Sequence, residues 1–232
     1  MQGISPLFFK KIIMTTKAFL FDMNGTMIND MYYHEKAWFD ILNEDLKANM
    51  TMADTKKHMY GKNEELFVRV FGEGTFTQEQ MNAFSMKKEK KYQEAFLPHL
   101  KLIAGLDQFL EMAHEQNIAM AIGTAASPFN VNYLLDNIPV KKYFGAIITA
   151  DDVPTSKPNP EVFLKCADEL GVPYENCIVF EDSPKGVEAA LNAGMKAVVI
   201  KTYHEEHEFS HLDNVLLFVD DYCDEQLNSL FA

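Results

Sequence analysis

Two hydrophobic rhythms alternate along the chain. Ala18-Phe19-Leu20-Phe21 is a short, continuously apolar run that stops at Asp22 and passes into Asn24-Gly25-Thr26, the pattern of a buried parallel strand entering a tight loop. Similar runs recur at 118–122, 146–149, 177–180, 197–200 and 215–219. Between them, segments 105–116, 128–137, 160–170 and 185–193 place apolar residues three and four apart, the spacing of an amphipathic helix. Strand alternating with helix predicts an α/β fold with a doubly wound, Rossmann-like parallel sheet, right-handed crossovers and a site at the C-terminal ends of the strands. One stretch breaks the rhythm. Residues 32 to 97 hold helical patterning punctuated by Gly61, Gly72 and Gly74 and no convincing strand, too long for a loop. An all-helical cap over 31–99 is therefore expected, inserted after the first strand, with 1–30 and 100–232 forming the core.

Composition narrows the function classes. Of 232 residues, 47% are hydrophobic and 24% charged, and 21 basic against 34 acidic side chains give a formal charge of −13. That excludes a disordered chain and argues against nucleic acid or an anionic membrane as partner. No apolar run approaches the roughly 20 residues that span a bilayer. The opening MQGISPLFFKKIIM is interrupted by Lys10 and Lys11 and lacks a small-residue cleavage site, so it does not read as a signal peptide. Met14 is a candidate start, with 1–13 as an extension. Cys166, Cys177 and Cys223 are odd in number and far apart, which favours reduced thiols and a cytoplasmic setting over a disulfide scaffold. The 13 Met read as core filler.

Chemistry gathers where the strands end. The first run ends at Asp22 and the second at Gly123-Thr124. The third leads into a loop with Ser156-Lys157-Pro158, and the fourth ends at Glu181-Asp182-Ser183-Pro184. A carboxylate, a hydroxyl, an ammonium and an acidic pair would then meet in one crevice, and each suits phosphoryl transfer. The carboxylate can attack phosphorus, the hydroxyl and ammonium can bind phosphoryl oxygens, and the acidic pair can hold Mg²⁺.

FDMNGT (21–26), the strand ending at Thr124, SKPNPE (156–161) and VFEDSPKGVEAALNAGM (179–195), in that order, resemble the four motifs of the haloacid dehalogenase superfamily. Tyr33-His34-Glu35-Lys36-Ala37-Trp38 is similar to the start of the helical cap in its β-phosphoglucomutase and sugar-phosphatase branch. The resemblance implies that Asp22 is the nucleophile of an aspartyl-phosphate, that Thr124 and Lys157 bind the phosphoryl group, and that Asp22, Glu181, Asp182 and the backbone carbonyl of Asn24 hold Mg²⁺. Ala125, His34 and Lys62 join Thr124 and Lys157 as candidate substrate contacts. The partner expected is a small phosphorylated metabolite, for a monomer or weak dimer.

One position departs from the pattern. The superfamily's phosphatases and mutases usually carry a second Asp two residues after the nucleophile, as acid and base, and here it is Asn24. An amide does not transfer protons near neutral pH, a loss on the order of 10²–10⁴ in rate that matters least for acyl phosphates or pyrophosphate. Because Gly25 follows, deamidation of Asn24 is a chemical route back to an aspartate. Glu64 stands where the mutases place a phosphate-binding Arg, which weakens β-phosphoglucomutase as the activity, and the acidic pair weakens dehalogenation. A slow or non-catalytic metabolite-binding protein is the rival from another class. Blander roles are also open: Thr124 as a loop cap, Glu181 as a supporting partner, His34 and Lys62 as solvated side chains, and the run 204–208 as a surface loop.

Overall fold

The computed structural model describes residues 18–231, so the candidate start at Met14 and the extension 1–13 lie outside it. Six strands form one parallel sheet: β1 (Ala18–Phe21), β2 (Ala119–Gly123), β3 (Ala146–Ile148), β4 (Cys177–Glu181), β5 (Lys196–Ile200) and β6 (Val215–Val219), in the spatial order β3-β2-β1-β4-β5-β6. Strand order reverses at β1, whose neighbours are β2 and β4, so a crevice opens beyond the C-terminal ends of β1 and β4.

Alternation along β1 explains the two cores. Phe19 and Phe21 face the layer of α5 (Leu106–Glu115) and α6 (Pro128–Asn137), packing with Phe109, Leu110, Leu134 and Phe180. Ala18 and Leu20 face α7 (Glu161–Leu170) and α8 (Pro184–Asn192), packing with Phe163, Cys166, Val187 and Ala190. Phe21 stacks on Phe180 with ring centroids 4.7 Å apart. The edge strands differ from the buried runs expected of them: β3 and β6 are half-exposed, and Leu216 faces solvent, because each has a neighbour on one side alone. Met23, Met27, Met120 and Met195 are buried as core filler, whereas Met86 faces solvent and the other described methionines are half-buried.

Between β1 and α5 lie four further α-helices and no strand: α1 (Met31–Asp40), α2 (Met52–His58), α3 (Asn63–Phe71) and α4 (Gln78–Phe96). Thr51 and Thr77 cap α2 and α4 by accepting from the amides of Asp54 and Gln80, whose side chains reach back to the threonine amides. Trp38, Ile41, Leu42, Leu66 and Phe67 give this insertion a small core of its own, separate from those on the sheet. Among the described residues, no helix is long and apolar enough to cross a membrane.

Candidate active site

Register brings the first two carboxylates together. Phe21 pairs with Phe180, so the next residues, Asp22 and Glu181, leave adjacent strands side by side, and the Asp22 amide donates to the Phe180 carbonyl at 2.9 Å. The loop after β3 swings Lys157 between them. Its Nζ donates to Asp22 Oδ1 at 2.6 Å and to Glu181 Oε1 at 2.7 Å. Glu181 Oε2 accepts from the amides of Asp182 and Ser183 and from the Ser183 hydroxyl at 2.9 to 3.0 Å. Ser183 caps α8 as well, accepting from the Gly186 amide. Glu181 is thus an organising carboxylate whatever else it binds.

Asp182 is different. It is 4% exposed, and its Oδ2 is buried without a hydrogen-bond partner. Gly25 leaves it that space: its φ is +77°, and a β-carbon there would sit 2.1 Å from Asp182 Oδ2. One oxygen each of Asp22, Glu181 and Asp182 lie within 4.8 Å of one another. Three buried carboxylates facing one ammonium leave an excess of negative charge that a hard cation with oxygen ligands fits. The Asn24 carbonyl, two residues beyond Asp22, accepts no hydrogen bond among the described residues. Burial, reinforced by Glu181 and Asp30, pushes the Asp22 carboxyl up to about 7 although Lys157 opposes it. Burial with Glu181 and Asp22 likewise pushes Asp182 well above the usual carboxylate range. Burial works against the Lys157 ammonium, but its two carboxylate partners outweigh it and hold it charged.

The other candidate residues fall in two groups. Thr124, Ala125, Lys157 and Lys62 line one narrow cavity, with Val153 and Ser156. The Thr124 hydroxyl oxygen accepts from the Ala126 amide at 3.1 Å, so it caps its loop while facing that cavity. Lys62 is half-buried and its Nζ donates to the Val153 carbonyl at 2.5 Å, while its amide donates to Ser156 Oγ at 2.9 Å. His34 and Asn24 meet elsewhere. His34 is 8% exposed, which overturns the solvated reading of it: its Nδ1 lies 2.6 Å from Lys88 Nζ and its ring stacks on Tyr92. Its Nε2 is 3.1 Å from Asn24 Nδ2 and 3.3 Å from Asp30 Oδ2. The run 204–208 forms a surface turn in which His204 pairs with Glu208, and the acidic triad is the one metal-competent cluster among the described residues.

Several participants escaped the sequence reading. Asp30 is fully buried and accepts from Asn24 Nδ2 at 2.6 Å, Tyr92 OH at 2.5 Å and the Gly25 amide at 3.2 Å. Its place four residues before His34 at the start of α1 is the signal that pairs them. Lys88 and Glu89 form a buried ion pair, and Glu89 also accepts from Asn63 and Asn130. Burial alone would raise Glu89, but Lys88, His34 and the two amides hold it well below the usual range.

The chain as a whole resembles known proteins in sequence and in fold. The haloacid dehalogenase-like hydrolase family profile matches residues 19–200. Fructose-1-phosphate phosphatase of Escherichia coli is 28% identical over 187 residues, covering 78% of this chain and 95% of its own. β-Phosphoglucomutase of Bacillus subtilis is 28% identical over 187 residues, covering 78% and 82%. A crystal structure of a family IA hydrolase from Entamoeba histolytica has a TM-score of 0.79 at 26% identity, covering 93% of this chain and 99% of that one.

Proposed function

The chain belongs to the haloacid dehalogenase-like hydrolases, and from that premise we propose that it is a Mg²⁺-dependent phosphatase that passes the phosphoryl group of a small metabolite to Asp22 and then to water. The observation that carries this reading is Lys157 bridging Asp22 and Glu181 beside the unpartnered Oδ2 of Asp182. A nucleophile, a fixed cation and a cation-hungry carboxylate within one buried cluster suit an incoming phosphoryl group and little else.

Asp22, Asp182, Glu181 and the Asn24 carbonyl would hold the metal ion, which, when bound, screens the repulsion between the Asp22 carboxylate and the phosphate. Asp22 attacks phosphorus in line. Lys157 stays protonated and binds a phosphoryl oxygen as it keeps Asp22 aimed. Thr124 offers its hydroxyl proton to another oxygen, its lone pair already engaged by the Ala126 amide. Helices α1 to α4 act as a cap: Lys62 reaches the loop after β3 from that side and closes the cavity against water.

The similarity to β-phosphoglucomutase supports the same first half-reaction. Mutase activity has less behind it, because Glu64 replaces an expected phosphate-binding Arg and the Lys62 ammonium is taken up by Val153. The test is Mg²⁺-dependent phosphate release by wild type and Asp22→Asn, with beryllofluoride trapping of Asp22 in parallel. Release that needs both Mg²⁺ and Asp22 is the expected result. Release that survives Asp22→Asn sinks the assignment, and trapping without any release supports the binding-protein alternative.

A further inference from the structure

Asn24 stands two residues beyond the nucleophile, half-buried at the edge of the site, and Asp30 dictates its orientation. Its Nδ2 donates to Asp30 Oδ2, so the end of the amide left to the site is Oδ1, an acceptor with no proton to give. The neighbours that bear protons are committed elsewhere. The Tyr92 hydroxyl donates to Asp30. His34 has Lys88 on Nδ1, and its Nε2 lies against the Asn24–Asp30 pair itself, 3.1 Å from Asn24 Nδ2 and 3.3 Å from Asp30 Oδ2. The Lys157 ammonium is divided between Asp22 and Glu181, and Lys62 donates to Val153. Asp30 itself is fully buried behind Asn24. Deamidation does not supply the missing acid either, since the Gly25 nitrogen that would attack the amide donates to Ile28 O at 2.8 Å and to Asp30 Oδ1.

We propose that this enzyme is built for phosphoryl donors whose leaving group departs as a stable anion, acyl phosphates and other phosphoanhydrides first, with Asp30 the positioning residue that fixes Asn24 as a non-acid. The proposal rests on Asp22 being the nucleophile. Asp22 forms its bond to phosphorus while the bond to the leaving oxygen breaks, and that oxygen keeps the electron pair and leaves unprotonated as a carboxylate or phosphate. Water then attacks the aspartyl-phosphate, oriented by donating to Asn24 Oδ1. The P–O bond to Asp22 breaks, Asp22 regains its carboxylate, and both water protons leave on dihydrogenphosphate.

The test is the dependence of kcat/KM on leaving-group acidity at saturating Mg²⁺, measured on wild type with acetyl phosphate, a graded series of phenyl phosphates, and glycerol 3-phosphate and fructose 1-phosphate as alkyl phosphates. Intact mass and peptide mapping first establish that residue 24 is unmodified Asn. Rates should rise steeply with leaving-group acidity and leave the alkyl phosphates at least ~10²-fold behind. Exchanging the pair, Asn24→Asp with Asp30→Asn, should flatten that dependence by speeding the alkyl substrates, and should do so more than Asn24→Asp alone, which sets two carboxylates against each other. Alkyl phosphates within about tenfold of the most acidic aryl phosphate overturn the proposal and leave the phosphatase reading intact. So does a His34→Gln variant that loses alkyl turnover alone, because His34 would then be the acid. Absence of Asp22-dependent release from every donor removes the phosphatase reading, and this one with it.

Discussion

Lys157 Nζ lies 2.6 Å from Asp22 Oδ1 in a pocket where both side chains are about nine-tenths buried, and the same ammonium holds Glu181. Lys157 is therefore the single positive charge set against three carboxylates. Replacing it with Met leaves Asp22, Glu181 and Asp182 buried together with no cation. Removing one partner of a buried ion pair costs about 3–5 kcal/mol, so Lys157→Met should lose about that much stability in EDTA. Mg²⁺ should return part of it. Phosphate release should fall by ~10²-fold or more, as expected for loss of a charge aimed at the transition state. Urea unfolding with and without Mg²⁺ measures the first effect, and unchanged stability in EDTA would count against the ion-pair account.

The same cluster sets a pH dependence. The Asp22 carboxyl is raised from 3.8 to about 7, so the fold favours its protonated form over the unfolded chain. Its contribution to stability is fully present below about pH 4 and is lost as pH rises towards 7 in the metal-free protein. Mg²⁺ competes with that proton, so the melting-temperature rise it produces should be small at pH 5 and grow until about pH 7. Thermal melts across that range, with and without Mg²⁺, give the answer. An equal Mg²⁺ shift at both ends would mean that Asp22 does not hold the metal.

Gly25 is fixed by two independent constraints, a left-handed φ of +77° and the Asp182 carboxylate that a β-carbon would strike. Gly25→Ala should therefore cost more than the roughly 1 kcal/mol of backbone strain alone, because it also displaces Asp182. Calorimetric titration should find Mg²⁺ binding weakened by at least ~10-fold. Gly72 has a positive φ but open space around it, so Gly72→Ala tests strain by itself and should leave Mg²⁺ affinity unchanged.

The sheet and the heart of the site were legible because both depend on short-range pattern. Buried parallel strands must be continuously apolar, and α/β topology sends whatever follows them to one edge, so Asp22, Thr124, Lys157, Glu181 and Asp182 could be placed before any contact was seen. The surroundings of Asn24 were not legible, because they depend on tertiary neutralisation. Lys87 to Lys91 read KKEKK, a run that looks solvated, yet Lys88 and Glu89 turn inward to each other and to His34, Asn63 and Asn130. Asp30 looks like a loop acid until Asn24, Tyr92 and the Gly25 amide converge on it.

A loop on the far side of the site ties the helical insertion down. After β5, the Tyr203 hydroxyl donates to Glu35 Oε2 of α1 at 2.6 Å, and Lys56 of α2 donates to the Tyr203 carbonyl at 3.1 Å with its ammonium 3.9 Å from the ring centre. The preceding hydroxyl, of Thr202, donates to the Gly25 carbonyl at 2.6 Å. Two adjacent residues thus connect α1 and α2 to the loop that carries Asn24. A hydrogen bond and a half-exposed cation–π contact contribute about 1 kcal/mol each. Tyr203→Ala removes the ring and hydroxyl contacts and should speed amide exchange in α1 and α2 roughly tenfold, whereas Tyr203→Phe, which keeps the ring, should have a smaller effect. Exchange in α5, on the core, should not change. If α1 and α2 exchange at the wild-type rate in Tyr203→Ala, the insertion is held by Lys62 and the loop after β3, and Tyr203 is not its fastening.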